Sequence, residues 1–202
     1  MAEDVELVEE EGAEEYVDRP ELDAETRARR DRALQLVRKF GDPVLRTRAL
    51  EVDRFDQRLV DEVRRMGQVM DESLGIGLAA TQVGVVHRVL VYRVEPDAPV
   101  AALVNPVIEW SGDELEFMDE GCLSLPGVLV EVERPVHVRV RARDERGDGL
   151  VIEASGLEAR VIQHEIDHLD GVLILDRTAR DQRKQAMREL RERLERDGAA
   201  VA

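Results

Sequence analysis

The sequence predicts an α+β protein, with small, mainly antiparallel β-sheets packed around a central metal-binding helix and a further helix at the C-terminus. Three observations lead there. Runs rich in β-branched residues or alternating in polarity crowd the middle of the 202-residue chain. Amphipathic helical stripes stand on either side of them. After the strands comes Gln163-His164-Glu165-Ile166-Asp167-His168, whose H-E-x-x-H pattern has chemical meaning only on a helix. The length suits one domain with a sizeable core.

Taken in order, residues 1–25 hold twelve Asp/Glu against the single Arg19, so −11 of the chain's net charge of −16 lies there. So little apolar surface cannot offset the entropy of ordering, and a disordered acidic tail is expected ahead of a folded domain over 26–202. A docking arm for a basic partner is the sharper alternative. Ala24 to Lys39 has good helix formers with Leu34 and Val37 on one side, stopped by Gly41-Asp42-Pro43. A stronger helix is expected from about Arg54 to Ser73. There Leu59, Val60, Val63, Met66 and Met70 recur at helical spacing, Asp53 offers an N-cap and Gly75 follows the end. Methionines on such a stripe point to core packing.

The texture changes at Val83. Val85 to Tyr92 is β-branched and strand-like, and Leu103 to Trp110, broken at Pro106, reads as an edge strand. Val136, Val138 and Val140 alternate with His137, Arg139 and Arg141 as in a half-buried strand. Gly147-Asp148-Gly149 offers a hairpin turn into Leu150-Val151-Ile152. Ser155 and Glu158 form an S-x-x-E capping box before the H-E-x-x-H helix, and Gly171 lies just past it. A last helix, from about Thr178 to Arg196, carries Ala186, Met187, Leu190 and Leu194 on a narrow stripe.

No apolar run reaches the roughly eighteen residues of a membrane span, and Met1-Ala2-Glu3-Asp4 opens no secretory signal. A cytoplasmic protein with no membrane contact is expected. The acidic balance argues against direct nucleic-acid binding.

His164 and His168 lie one turn apart on one helix face, so both rings reach a single ion, with Glu165 beside it to move protons. Leu157 and Val161 share the histidine side, while Ile162, Ile166 and Leu169 cover another. A helix apolar on two sides is buried, and a metal satisfies two buried histidines at once. A catalytic site of this kind typically has three protein ligands. No histidine follows His168, and Ile174 stands where the longer H-E-x-x-H-x-x-G-x-x-H pattern needs its third. Asp170, Asp176 and the lone Cys122 remain, and composition alone reads Cys122 as a small buried residue. His87 and His137 sit in strand patterns far from the motif and read as ordinary strand residues. Gly75-x-Gly77-x-x-Ala80 fits a dinucleotide fingerprint, but it follows a helix and leads into a strand, the reverse of the order needed.

Gly75-Ile76-Gly77-Leu78-Ala79-Ala80-Thr81-Gln82, Glu120-Gly121-Cys122-Leu123-Ser124 and Gln163 to His168 together resemble the three signature motifs of the peptide deformylase family, in its order and at about its spacing. A softer likeness starts at Phe40-Gly41-Asp42-Pro43-Val44-Leu45-Arg46, and the whole covers roughly residues 35–195. The resemblance implies a metal-dependent hydrolase that removes the N-formyl group from the N-terminal formylmethionine of nascent polypeptides and releases formate. Residues 26–202 would be its catalytic domain. Cys122 would join His164 and His168 around one divalent ion, iron(II) first, with zinc, nickel and cobalt as alternatives. Water on that ion would attack the formyl carbon, with Glu165 as general base and then acid. The side-chain amide of Gln82 and the backbone N–H of Leu123 would stabilise the oxyanion. Ile76, Gly77, Leu78, Gly121, Leu129 and Val161 would contact the substrate, the larger ones around its methionine and the glycines where backbones approach closely. Its partners would be N-formylmethionyl peptides and the ribosome near the nascent-chain exit, and a monomer is expected. Leu129 departs from the pattern, since many members carry a basic residue there; the expected effect is on later substrate positions. Two rival readings make different predictions. A zinc peptidase would cut peptides without Cys122, and a metal-bearing binding module docking by its tail would tolerate loss of Glu165.

Overall fold

A five-stranded antiparallel sheet and a separate two-stranded hairpin enclose one buried helix in the computed structural model, which describes residues 22–200 and side chains as far as Arg193. The acidic stretch expected to be a tail therefore lies almost wholly outside the described residues. The first helix, α1 (Ala24–Leu34), is capped by Asp23, whose carboxylate accepts from the N–H groups of Glu25 and Thr26. It ends five residues before Lys39. Beyond Leu34 the backbone spends its donors elsewhere, with Arg38 N–H on the Gln82 carbonyl at 2.7 Å and Phe40 N–H on that of Ser124 at 2.9 Å. Helix α2 (Gln57–Glu72) buries Leu59, Met66 and Met70 as their spacing predicted, but its cap is Asp56 rather than Asp53.

The strands are β1 (Gly77–Ala79), β2 (Val89–Tyr92), β3 (Ala101–Ser111), β4 (Leu115–Cys122), β5 (Leu125–Pro135), β6 (His137–Arg143) and β7 (Gly149–Ser155). The large sheet runs β1-β2-β3-β6-β7, and β4 pairs with β5. Two expectations about the strands need correction. The strand expected from Val85 starts at Val89, and His87 makes only an isolated bridge to Leu50. β3 is the central strand of its sheet, not an edge. Pro106 is tolerated because it falls within a register shift between Val104 and Val107. Beside it Asn105 adopts φ 53° and turns its amide onto the backbone of Val52. The hairpin β4–β5, which carries Cys122, was not foreseen at all.

Helix α3 (Gly156–Leu169) is the H-E-x-x-H helix. Ile162, Ile166 and Leu169 pack on Leu90, Leu103, Val138 and Val140 of the large sheet. Each fully buried side chain of this size stabilises the fold by about 1.5–3 kcal/mol. Ser155 makes no side-chain cap, and Glu158 instead accepts from the Tyr92 hydroxyl at 2.9 Å, so the expected capping box is absent. Gly171 follows the helix at φ 73°, as its position predicted. A short helix, α4 (Ile174–Arg177), then leads to α5 (Arg180–Ala200), whose Ala186 and Leu190 close the hairpin's core of Val128, Val130 and Val132. No helix among the described residues is long and apolar enough to cross a membrane.

Candidate metal centre and active site

Three elements converge on one point. Helix α3 brings His164 and His168 one turn apart, β4 ends on Cys122, and the 3₁₀ turn Ala80–Val83 supplies Gln82. One donor atom from each of Cys122, His164 and His168 lies within 4.8 Å of the others. Cys122 Sγ is 3.2 Å from His168 Nε2, and the two imidazoles meet edge to face with centroids 5.0 Å apart. Nδ1 of His164 is bonded to Glu120 Oε2 at 2.9 Å, which turns the other ring nitrogen toward the cluster. Glu165 Oε2, buried beside the cluster, makes no hydrogen bond among the described residues. A thiol with two imidazoles is a donor set for zinc, iron, nickel or cobalt, so these residues fit a divalent ion.

The local electrostatics ready the thiolate for a metal ion, while His164 must give up a proton to ligate one. Burial would raise the Cys122 thiol, but His168 and His164 outweigh it and hold it well below its ordinary value, favouring thiolate. Burial lowers the His164 imidazole, yet bonds to Cys122 and Glu120 carry it well above its usual range. Burial also raises the Glu165 carboxyl, against the lowering pull of His164 and His168. A raised carboxyl can both take and return a proton near neutrality.

Gln82 is locked in one orientation. Its Oε1 accepts from Ala79 N–H at 2.9 Å, so Nε2 must face the cluster, 3.3 Å from Ser124 Oγ and 3.6 Å from Cys122 Sγ. Leu123 is pinned through its carbonyl, which accepts from Lys39 Nζ at 3.1 Å.

A buried ion network behind His164 went unread in the sequence. Arg134 donates to Glu120 at 2.6 and 2.9 Å and to Asp167 at 2.9 Å, and Arg160 adds a bond to Glu120 at 2.9 Å. Arg177 closes the chain onto Asp167. Burial pushes the Glu120 carboxyl up, but hydrogen bonds from His164 and Arg134 overcome it and hold it near about 2. A partial signal existed: Arg134 has the strand parity of Val128, Val130 and Val132, which marks an inward arginine in need of carboxylates. Glu120→Gln is therefore expected to weaken metal affinity about 10–100-fold, measured by competition with a chelator. Because the Glu120 carboxyl titrates lower in the folded chain, it stabilises the fold above its unfolded value of 4.5. That share is lost as pH falls from there toward about 2, and the variant should lack that part of the acid unfolding curve.

The cluster opens into a cleft of about 430 Å³. Ile76, Gly77, Gly121 and Val161 line it. Leu78 does not. Strand alternation turns its side chain into the core under α2, with Met66 and Met70. Leu129 stands outside as well, 62% exposed beside a neighbouring depression with Gln182 and Gln185. A larger groove of about 600 Å³ next to Arg48, Arg88 and Asp170 holds none of the cluster residues. Gly77 has a steric reason to be glycine, since a Cβ there would meet Glu165 Oε1 at 2.5 Å and Val161 Cγ1 at 2.9 Å. Gly77→Ala should displace the carboxylate and cut turnover by on the order of 10² with the fold retained, compared by steady-state rates and circular dichroism.

Comparisons with known proteins point one way. A family model described as polypeptide deformylase matches residues 34–184. A peptide deformylase of Thermosynechococcus vestitus is 50% identical over 141 residues, 68% of this chain and 75% of that protein. One from Acidothermus cellulolyticus is 46% identical over 160 residues, 79% of this chain and 87% of that protein. The crystal structure of a Synechococcus elongatus peptide deformylase in complex with actinonin superposes with a TM-score of 0.73 at 44% identity, covering 76% of this chain and 85% of that one.

Proposed function

Since the chain belongs to the polypeptide deformylase family, metal-dependent hydrolases that remove the N-formyl group from nascent polypeptides, we propose that Cys122, His164 and His168 hold its ion and that Glu165 moves the protons. The observation that carries this assignment is the convergence of those three donors beside a buried carboxylate at the floor of one cleft. Iron(II) is the proposed ion. A divalent ion bound there supplies Lewis acidity, which makes water a nucleophile near neutral pH and polarises the formyl group.

The protein's own groups do the rest. Glu165 takes a proton from the attacking water and returns it to the departing amine nitrogen, freeing formate and the new amino terminus. The Nε2 donors of Gln82, with the N–H of Leu123, face the oxygen that gains negative charge. β1 is an edge strand. Ile76 C=O accepts from Arg93 N–H, and the alternation of an antiparallel ladder then turns the N–H and C=O of Gly77 away from β2. An extended peptide can pair there, with its methionine between Ile76 and Val161. The protein would act as a cytoplasmic monomer near the nascent-chain exit of the ribosome.

Hydrolysis of formyl-Met-Ala-Ser against acetyl-Met-Ala-Ser tests the reading. Formate release with little acetate release is expected, because the site must fit the smallest acyl group. Equal cleavage of both, or cleavage of internal peptide bonds instead, would contradict it.

A further inference from the structure

Part of one wall of the cleft, Arg30, comes from outside the stretch that the family model matches. Helix α1 lies almost entirely ahead of residue 34, where that match begins, yet its Arg30 and Leu34 line the same cleft as Cys122 and Glu165. They stand one turn apart on one helix face. The helix is anchored: Ala33 and Val37 are buried, and the segment after it bonds to the carbonyls of Gln82 and Ser124. Arg30 is half-buried and has no ion pair or hydrogen bond among the described residues.

Two more cations touch residues that line the cleft. Lys39 reaches the Leu123 carbonyl, and its pKa is lowered chiefly by burial, with Arg30 close enough to add to the effect. Arg193 lies across Gly127, which also lines the cleft. Neither has a carboxylate partner among the described residues. Of the cleft's acids, Glu120 is held by Arg134 and Arg160, and Glu165 is buried at the floor. Asp119, exposed on β4, also faces the depression beside Leu129.

The direction of the substrate follows from where the chemistry sits. Its formyl end must reach the buried cluster, and an extended chain then advances about 3.3 Å per residue toward the half-exposed rim. On such a path the peptide beyond its methionine would pass α1, whose Arg30 and Leu34 line the cleft. We propose that Arg30 is a specificity-determining residue that favours formyl-methionyl peptides with acidic side chains two to three residues after the methionine, Leu34 packing alongside. This rests on the deformylase reading of the cleft.

The test uses the full chain and three C-terminally amidated peptides: formyl-Met-Ala-Glu-Glu, formyl-Met-Ala-Ala-Ala and formyl-Met-Ala-Lys-Lys. The parent should prefer the Glu-Glu peptide over the Lys-Lys peptide about fivefold in kcat/KM, near the upper end of what an exposed ion pair supplies. The preference should reside in KM and shrink at high salt. Arg30→Lys should keep it, Arg30→Ala should flatten it and Arg30→Glu should reverse it. A parent ratio that survives in Arg30→Ala and Arg30→Glu, or a parent that prefers the Lys-Lys peptide, overturns the inference while leaving the deformylase reading in place. Absence of formate from all three peptides overturns both.

Discussion

Glu165→Ala is expected to lower formate release by about 10²–10⁴ while one metal ion per chain stays bound. The two effects separate because Glu165 is not among the three converging donors, and its buried Oε2 has no hydrogen-bond partner among the described residues. Its pKa is raised, with burial as the main cause, so the same group can accept a proton in attack and donate it in expulsion of the amine. Removal should spare the fold: Ile162, Ile166 and Leu169 anchor α3 from another side. Metal content and circular dichroism beside the rate would check each part. An active Glu165→Ala variant would move the general base elsewhere.

The second large effect concerns Cys122. Cys122→Ala should remove both the stoichiometric ion and the activity. Apparent zinc-site energies of about 10–16 kcal/mol over four ligands imply roughly 3 kcal/mol per ligand, about 10² in affinity. The loss should lie at or above the top of the range for Glu120→Gln, which only releases the orientation of His164. Cobalt(II) distinguishes the two variants: a thiolate-to-metal charge-transfer band should persist in Glu120→Gln and vanish in Cys122→Ala. Peptidase activity surviving without Cys122 would favour the rival zinc-peptidase reading.

Much of this centre was legible because several local signals coincided on α3. Helical period, metal-ligand spacing and the glycine at 171 all marked the same segment, and the described helix ends where they said. Cys122 was different. Periodicity and composition left it among several candidates, and only resemblance to a family singled it out. Its strand escaped notice because β4 leaves Leu115, Phe117 and Met118 exposed, so its apolar residues do not alternate with a polar face. The edge assignment of β3 failed because the rule about proline assumes an unbroken ladder, and Asn105 had already broken this one. The side chain of Leu78 lies outside the cleft for a simpler reason. A motif names residues without saying which way each side chain points, and on β1 Gly77, not Leu78, faces Glu165. The network of Glu120, Arg134 and Asp167 joins residues 14 and 33 positions apart, which no local pattern brings together.

The most direct test is an anaerobic titration of metal-free protein with iron(II) or nickel(II), following formate release from formyl-Met-Ala-Ser. The expected curve rises with added ion and levels at one equivalent per chain, stays near background in Cys122→Ala, and in Glu165→Ala binds the ion without turnover. Full activity in the metal-free chain, or a parent-like curve in Cys122→Ala, would contradict the assignment of Cys122, His164 and His168 as the catalytic metal site.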